Sequence, residues 1–192
     1  MHGDECNQTD ETMKAGNAIG TFLLFAAAVG SSVIYAGTEK FDDAMQPILE
    51  QYLKIHEALA ADKTEGVKRA AEQVAMLSEK VDADTVSGEH KDHYKHVPEK
   101  IKKAAQELAQ GKDLGAMREA FKTLSKPMAM WATMSKPKGI YVVYCSMQQA
   151  SWLQKGQAIT NPYYGHEMLR CGEIVGGGED DQGPTPHHIG SH

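Results

Sequence analysis

Between Phe41 and Ser135 apolar residues recur every three or four positions, the spacing of one helix face and not the alternation of a strand. Four helices are predicted. The first runs from about Phe41 to Ala61, with Phe41, Met45, Ile48, Tyr52, His56 and Leu59 on one stripe. Asp62, followed three residues later by Glu65, reads as a capping box opening the second, whose stripe is Val67, Ala70, Val74, Leu77 and Val81. Ser87 is the expected N-cap of the third, which presents Tyr94, Val97, Ile101, Ala105 and Leu108, with Pro98 either kinking it or starting its regular part. Gly111 closes it, and Asp113 opens a fourth that carries Leu114, Met117, Phe121, Leu124, Met128 and Trp131 and bends at Pro127. Short polar connections force neighbouring helices to run in opposite directions. The expected fold is therefore all-α: an antiparallel four-helix bundle with a small C-terminal β or irregular segment. In that segment "IYVVYC" is β-branched and aromatic, so it predicts a strand. "GEIV" is its candidate partner, and a hairpin-like pairing would bring Cys145 near Cys171.

The flanks have a different character. From Ala18 to Ala36 the chain has no charge, Lys14 stands just before this stretch, and Ala36 is a small residue suited to a cleavage site. Residues 1–36 are expected to be a signal peptide or an N-terminal membrane anchor, since the stretch also approaches the ~20 residues that span a bilayer. Acidic residues precede Lys14, which favours Met13 as the start of such a leader. Residues 37–175 would form the helical domain with its Cys/Met segment. Residues 176–192, rich in Gly, Pro and polar groups, would be a disordered tail. The expected location is periplasmic or otherwise extracytoplasmic, with the inner membrane involved only through an uncleaved leader.

Charge narrows the partners. The 192-residue chain has a formal charge of −6, with lysines interspersed among glutamates, so no basic patch exists to bind nucleic acid. Residues 1–36 carry four acids and one lysine, so their loss would take the charge to −3. An exported domain with two cysteines, Cys145 and Cys171, would remain.

Cys145 and Met147 form C-x-M, whose side chains share a face on a strand, and Met168 and Cys171 form M-x-x-C, which converges on a turn. Between them "NPYYGH" has the Asn-Pro and Gly of chain reversals, and His166 adds an imidazole. Thiolate and thioether are soft ligands that select Cu(I). Two cysteines in an oxidising compartment equally suit a disulfide, the alternative for Cys145 and Cys171. His90, His93 and His96 recur every three residues and form a possible secondary metal site on one helix face. Met130 and Met134 share a face beside Trp131 and read as core or lid, while His56 reads as a hydrogen-bonded core histidine. His187, His188 and His192 lie in the tail. No C-x-x-C, H-E-x-x-H, phosphate-binding Gly loop or G-x-S-x-G elbow is present, so a non-enzymatic protein is expected.

The stretches "ILEQYLKIHEALAADKTEGVKRAAEQVA", "MREAFKTLSKPMAM" and "YVVYCSMQQASWLQKGQAITNPYYGHEMLRCGEI" resemble a domain of unknown function found alone in exported bacterial proteins and at an end of periplasmic adaptor subunits of RND-type copper/silver efflux systems. The resemblance covers Phe41 to Val175, and its most specific part is the order Tyr-Cys-x-Met, Trp-Leu, Asn-Pro-Tyr-x-Gly, Met-x-x-Cys-Gly. Ser146 stands where that family commonly has proline. The resemblance implies an exported helical domain linked to copper or silver, with an efflux adaptor or another exported protein as partner. The resulting expectation is a Cu(I)-binding buffer or chaperone for metal efflux, with Cys145, Met147, His166, Met168 and Cys171 as ligands. The alternative is a disulfide-clasped interaction module in which Trp152, Tyr163 and Tyr164 form an aromatic contact surface.

Overall fold

The computed structural model describes residues 38–86 and 91–178. The expected leader, Ser87, His90 and the tail histidines lie outside the described residues. Helix α1 (Glu39–Ala60) is followed by α2 (Val67–Ser78), the one-turn α3 (Lys91–Tyr94), α4 (Val97–Ala109) and α5 (Leu114–Ser135). The apolar stripes named above are the faces these helices bury. Phe41, Met45, Ile48, Tyr52 and Leu59 of α1 meet Val67 and Val74 of α2, Val97, Ile101 and Leu108 of α4, and Phe121, Leu124 and Trp131 of α5 in one core. Asp113 caps α5 by accepting the Ala116 N–H at 2.8 Å. Pro98 starts α4, where its missing N–H costs nothing.

Two local expectations fail. Asp62 caps no helix: α2 is preceded by Gly66 at φ 80°, and the Asp62 carboxylate turns instead to Arg118 and His166. The third helix is not continuous, because residues 95–96 form a turn between α3 and α4.

The all-α expectation is overturned by a three-stranded antiparallel sheet, β1 (Ile140–Cys145), β2 (Ala150–Lys155) and β3 (Glu173–Gly177), in the order β2-β1-β3. The pairing of "IYVVYC" with "GEIV" is present, with Val143 opposite Ile174 and Tyr144 opposite Glu173. The unforeseen strand is β2. Its pairing is regular, Cys145 with Ala150 through Ile140 with Lys155, but the turn that makes it has no Gly, Asn or Asp. Gln149 takes the left-handed conformation at φ 49° in their place. Trp152, Leu153 and Gln154 are buried in succession, so the period-two signal is lost.

The sheet belongs to the core. Helices α1, α2, α4 and α5 pack in that order, and β2 lies against both α5 and α1. Trp152, Leu153 and Val143 are fully buried there. Tyr163 stacks edge-on against Trp152 with centroids 5.7 Å apart, and Phe121 stacks on Tyr52 at 4.8 Å. Trp152 and Tyr163 are thus interior residues, and the aromatic contact surface expected of them does not form. At the junction the Tyr52 hydroxyl meets Ser125 Oγ at 2.7 Å and accepts the Leu153 N–H at 3.1 Å, tying α1, α5 and β2 through one oxygen.

Replacing Tyr52 with Phe keeps the ring and removes that acceptor, leaving a buried N–H without a partner. The expected loss is about 1–3 kcal/mol of unfolding free energy, measured as a lower urea midpoint with an unchanged slope. An unchanged midpoint would mean that the hydroxyl does not hold the sheet to the helices.

Candidate functional site

The segment between β2 and β3 is organised by buried side chains. Gln154 accepts from Trp152 Nε1 at 3.0 Å and from the Thr160 N–H at 3.1 Å, and its amide donates to the carbonyls of Gly156 and Ala158. His56, buried in α1, holds the same Thr160 from its other side through Nε2 to the carbonyl at 2.8 Å. Asn161 then turns the chain. Its Oδ1 accepts the N–H groups of Tyr163 and Tyr164, and its Nδ2 donates to the Cys171 carbonyl at 2.6 Å. The Tyr163 hydroxyl donates to the Ser151 carbonyl at 2.6 Å, fastening this turn to β2.

A second anchor holds the following 3-10 turn, Gly165–Glu167. Arg118 of α5 donates to Asp62 at 2.6 Å, to the Leu59 carbonyl and to the Pro162 carbonyl. Asp62 also accepts from the His166 backbone N–H at 3.0 Å and from His166 Nδ1 at 2.6 Å. The His166 N–H, the His166 ring and the Arg118 guanidinium together hold the Asp62 carboxyl well below the usual carboxylate range. Gly165 sits at φ 57°, and a Cβ there would run into Asp62 and Arg118.

These anchors bring Cys171 to the end of β1. Cys145 Sγ and Cys171 Sγ are 3.2 Å apart, and both are free thiols. Cys145 is fully buried, while Cys171 is partly exposed. Burial raises the Cys145 thiol, but hydrogen bonds from Cys171, from the backbone N–H groups of Gln148 and Met147 and from the Asn161 side chain outweigh it and leave a net downward shift. Cys171 moves up, first because it donates to Cys145 and then through desolvation. Of the two, Cys145 is therefore the sulfur on which these surroundings favour negative charge. Gly172, at φ 150°, lets the chain pass over Trp152, where a Cβ would lie 2.6 Å from the ring.

Of the residues singled out in the sequence, the fold thus joins Cys145 and Cys171 directly. Met147 stands 61% exposed on the β1–β2 turn. Met168 is half-buried after the 3-10 turn, and its carbonyl accepts the Cys171 N–H at 3.0 Å. The His166 side chain is 82% exposed, with Nδ1 engaged by Asp62, so its Nε2 is the ring nitrogen left to a ligand. Of the histidine triplet, His93 lies on α3 and His96 precedes α4. Both are exposed, and the intervening turn takes them off a common helix face. Met128 is core, and Met130 and Met134 pack at its edge. Among the described residues no three His, Cys, Asp or Glu side chains form a group that would hold a metal ion. Any metal at the sulfur pair would depend on two thiols and neighbouring thioethers.

A DUF3347 domain is found over residues 48–139. That family is described as a protein of unknown function, and the match runs from inside α1 to the residue before β1, a little under half of the chain. No curated protein and no solved structure matches the chain. The DUF3347 match covers Tyr52 on α1, Asp62 in the turn after it and Arg118 on α5, while the sulfur pair lies just beyond it.

Arg118 is a positioning residue that spacing does not single out, while Asp62 reads from spacing as a helix cap and Asn161 only as part of a chain reversal. The one signal for them is Asn161-Pro162 with Gly165, a turn pair whose partners on α1 and α5 are remote in sequence.

His56 provides a pH test of how this segment is held. Burial pushes its pKa down from 6.5 to about 4, only partly opposed by the Thr160 carbonyl. The unfolded chain then binds a proton near pH 6.5 that the folded chain refuses until about pH 4. Stability is complete above pH 6.5 and falls as pH drops through this window, by about 3 kcal/mol at pH 4. Urea unfolding at pH 7 and pH 4.5 should show the loss, and His56→Gln should lack most of it. An equal pH slope in the variant would assign the effect to other groups.

Proposed function

We propose that the Cys145–Cys171 pair binds a soft monovalent metal, Cu(I) foremost, in an exported protein that buffers the ion or passes it to an efflux system. The observation that carries this reading is the sulfur pair itself: two thiols 3.2 Å apart, one of them receiving backbone N–H bonds from Met147 and Gln148. Such bonds stabilise a thiolate before any metal arrives, and thiolate is the form that binds.

The supply of ligands favours a low coordination number. Two thiolates each ~2.3 Å from one ion are separated by roughly 3.8 Å in a tetrahedral arrangement and 4.6 Å in a linear one. Holding an ion between them requires the pair to open from 3.2 Å to that range, and Cys171, the less buried of the two, is the one with room to move. Zinc in structural sites takes four ligands, and the described residues offer no such set. A soft ion content with two sulfurs fits better, with Met147 or Met168 as a thioether, while His166, held by Asp62, does not join the two cysteines in one group. The likeness of the segment to domains of copper/silver efflux adaptors supports the choice of ion, and the uncharged stretch from Ala18 to Ala36 supports export.

The test is an anaerobic Cu(I) titration of the reduced chain, in a Cys6→Ser background, against a competing Cu(I) chelator. One equivalent should bind tightly, excess Zn²⁺ should not displace it, and Cys145→Ser or Cys171→Ser should abolish competition with the chelator. Unchanged affinity in the double serine variant would overturn the assignment.

A further inference from the structure

The two sulfurs differ in access, and that difference sets an order of events when the pair meets an oxidant. Cys145 Sγ is at the closed end of β1, fully buried and fixed by N–H groups of the Met147–Gln148 turn and by Asn161. Cys171 is partly exposed, on the turn that leads from the 3-10 segment into β3. An approaching reagent reaches Cys171 first. The pair is also close to bonding: a disulfide needs ~2.05 Å between sulfurs, so the 3.2 Å contact must shorten by about 1.1 Å. With Cys145 pinned, the motion falls to Cys171.

We propose that Cys145 and Cys171 form a thiol–disulfide exchange site for a slender external disulfide of the glutathione type, with Cys171 as the entry sulfur and Cys145 as the resolving one. In the first step Cys171 Sγ bonds to one sulfur of the external disulfide. Its proton crosses to Cys145 Sγ, the external S–S bond breaks, and one thiolate leaves. In the second step Cys145 gives that proton to the departed thiolate and attacks Cys171 Sγ. The mixed disulfide breaks and a second thiolate leaves. The protein pair is oxidised by two electrons and the external disulfide is reduced to one thiol and one thiolate, the latter taking its proton from water, so no further co-reactant is needed. This differs from a static clasp in that the bond is made and broken through one accessible atom. It requires no metal, so it stands or falls separately from the Cu(I) reading.

The experiment uses the metal-free, reduced full chain in the Cys6→Ser background with oxidised glutathione, quenched with acid at intervals and mapped by peptide mass. The chain with both cysteines should end as an intramolecular disulfide without retained glutathione. Cys145→Ser should accumulate a glutathione adduct on Cys171, and Cys171→Ser should react on the order of tenfold or more slowly. Because either substitution could disturb packing, the decisive measurement is the earliest adduct in the chain that keeps both cysteines, which should map to Cys171. An early adduct on Cys145, equal rates in the two variants, or stable adducts that never close to a ring would each overturn the proposal.

Discussion

One buried hydroxyl decides how the sheet meets the helices. Strand β2 is an edge strand, and an edge has backbone N–H groups with no neighbouring strand to accept them. Leu153 donates to Tyr52, which is itself tied to Ser125, so the edge is closed by a helix side chain in place of a strand. Everything at the sulfur pair depends on that closure. If β2 shifted, Trp152 would move under Gly172, the Ser151 carbonyl would leave Tyr163, and Cys171 would no longer be delivered to the end of β1.

The helices were legible because their signal is local. A stripe such as Phe41, Met45, Ile48, Tyr52 and Leu59 needs no tertiary information, and neither does Asp113 as a cap. The missing third strand shows the opposite situation. Gln149 in a left-handed turn carries no composition signal, and a strand covered by helices on one face and by the Gln154-organised loop on the other loses its alternation. Asp62 departs from its sequence pattern for a related reason. Its spacing to Glu65 fits a capping box, but a guanidinium from α5 and an N–H from residue 166 offered the carboxylate stronger partners than a helix end. The meeting of Cys145 and Cys171 was legible because two short β-type stretches flanked a turn-rich segment. That Met147 would be exposed and His166 engaged by Asp62 depended on contacts more than a hundred residues away in one case and on a tight four-residue turn in the other.

The site combines rigidity and access unequally. Asn161, Gln154 and His56 are buried and fully bonded, and the described residues leave no buried side-chain nitrogen or oxygen without a partner. This framework fixes Cys145 and the path of the chain toward Cys171, yet the last turn before β3 stays partly open to solvent. A fixed sulfur beside a movable one can accommodate an ion between them or close on itself, and the same asymmetry underlies both chemistries proposed for the pair.

The family match begins at Ile48, inside α1, and stops at residue 139, immediately before β1. Its borders are therefore not those of a folding unit. Cut there, the polypeptide would lose the first turns of α1 and uncover the apolar side of Tyr52, Phe121 and Leu124 that Leu153, Trp152 and Tyr163 now shield. Helices and sheet share that one core, which makes them a single cooperative unit whose sheet is a roof the helices cannot shed.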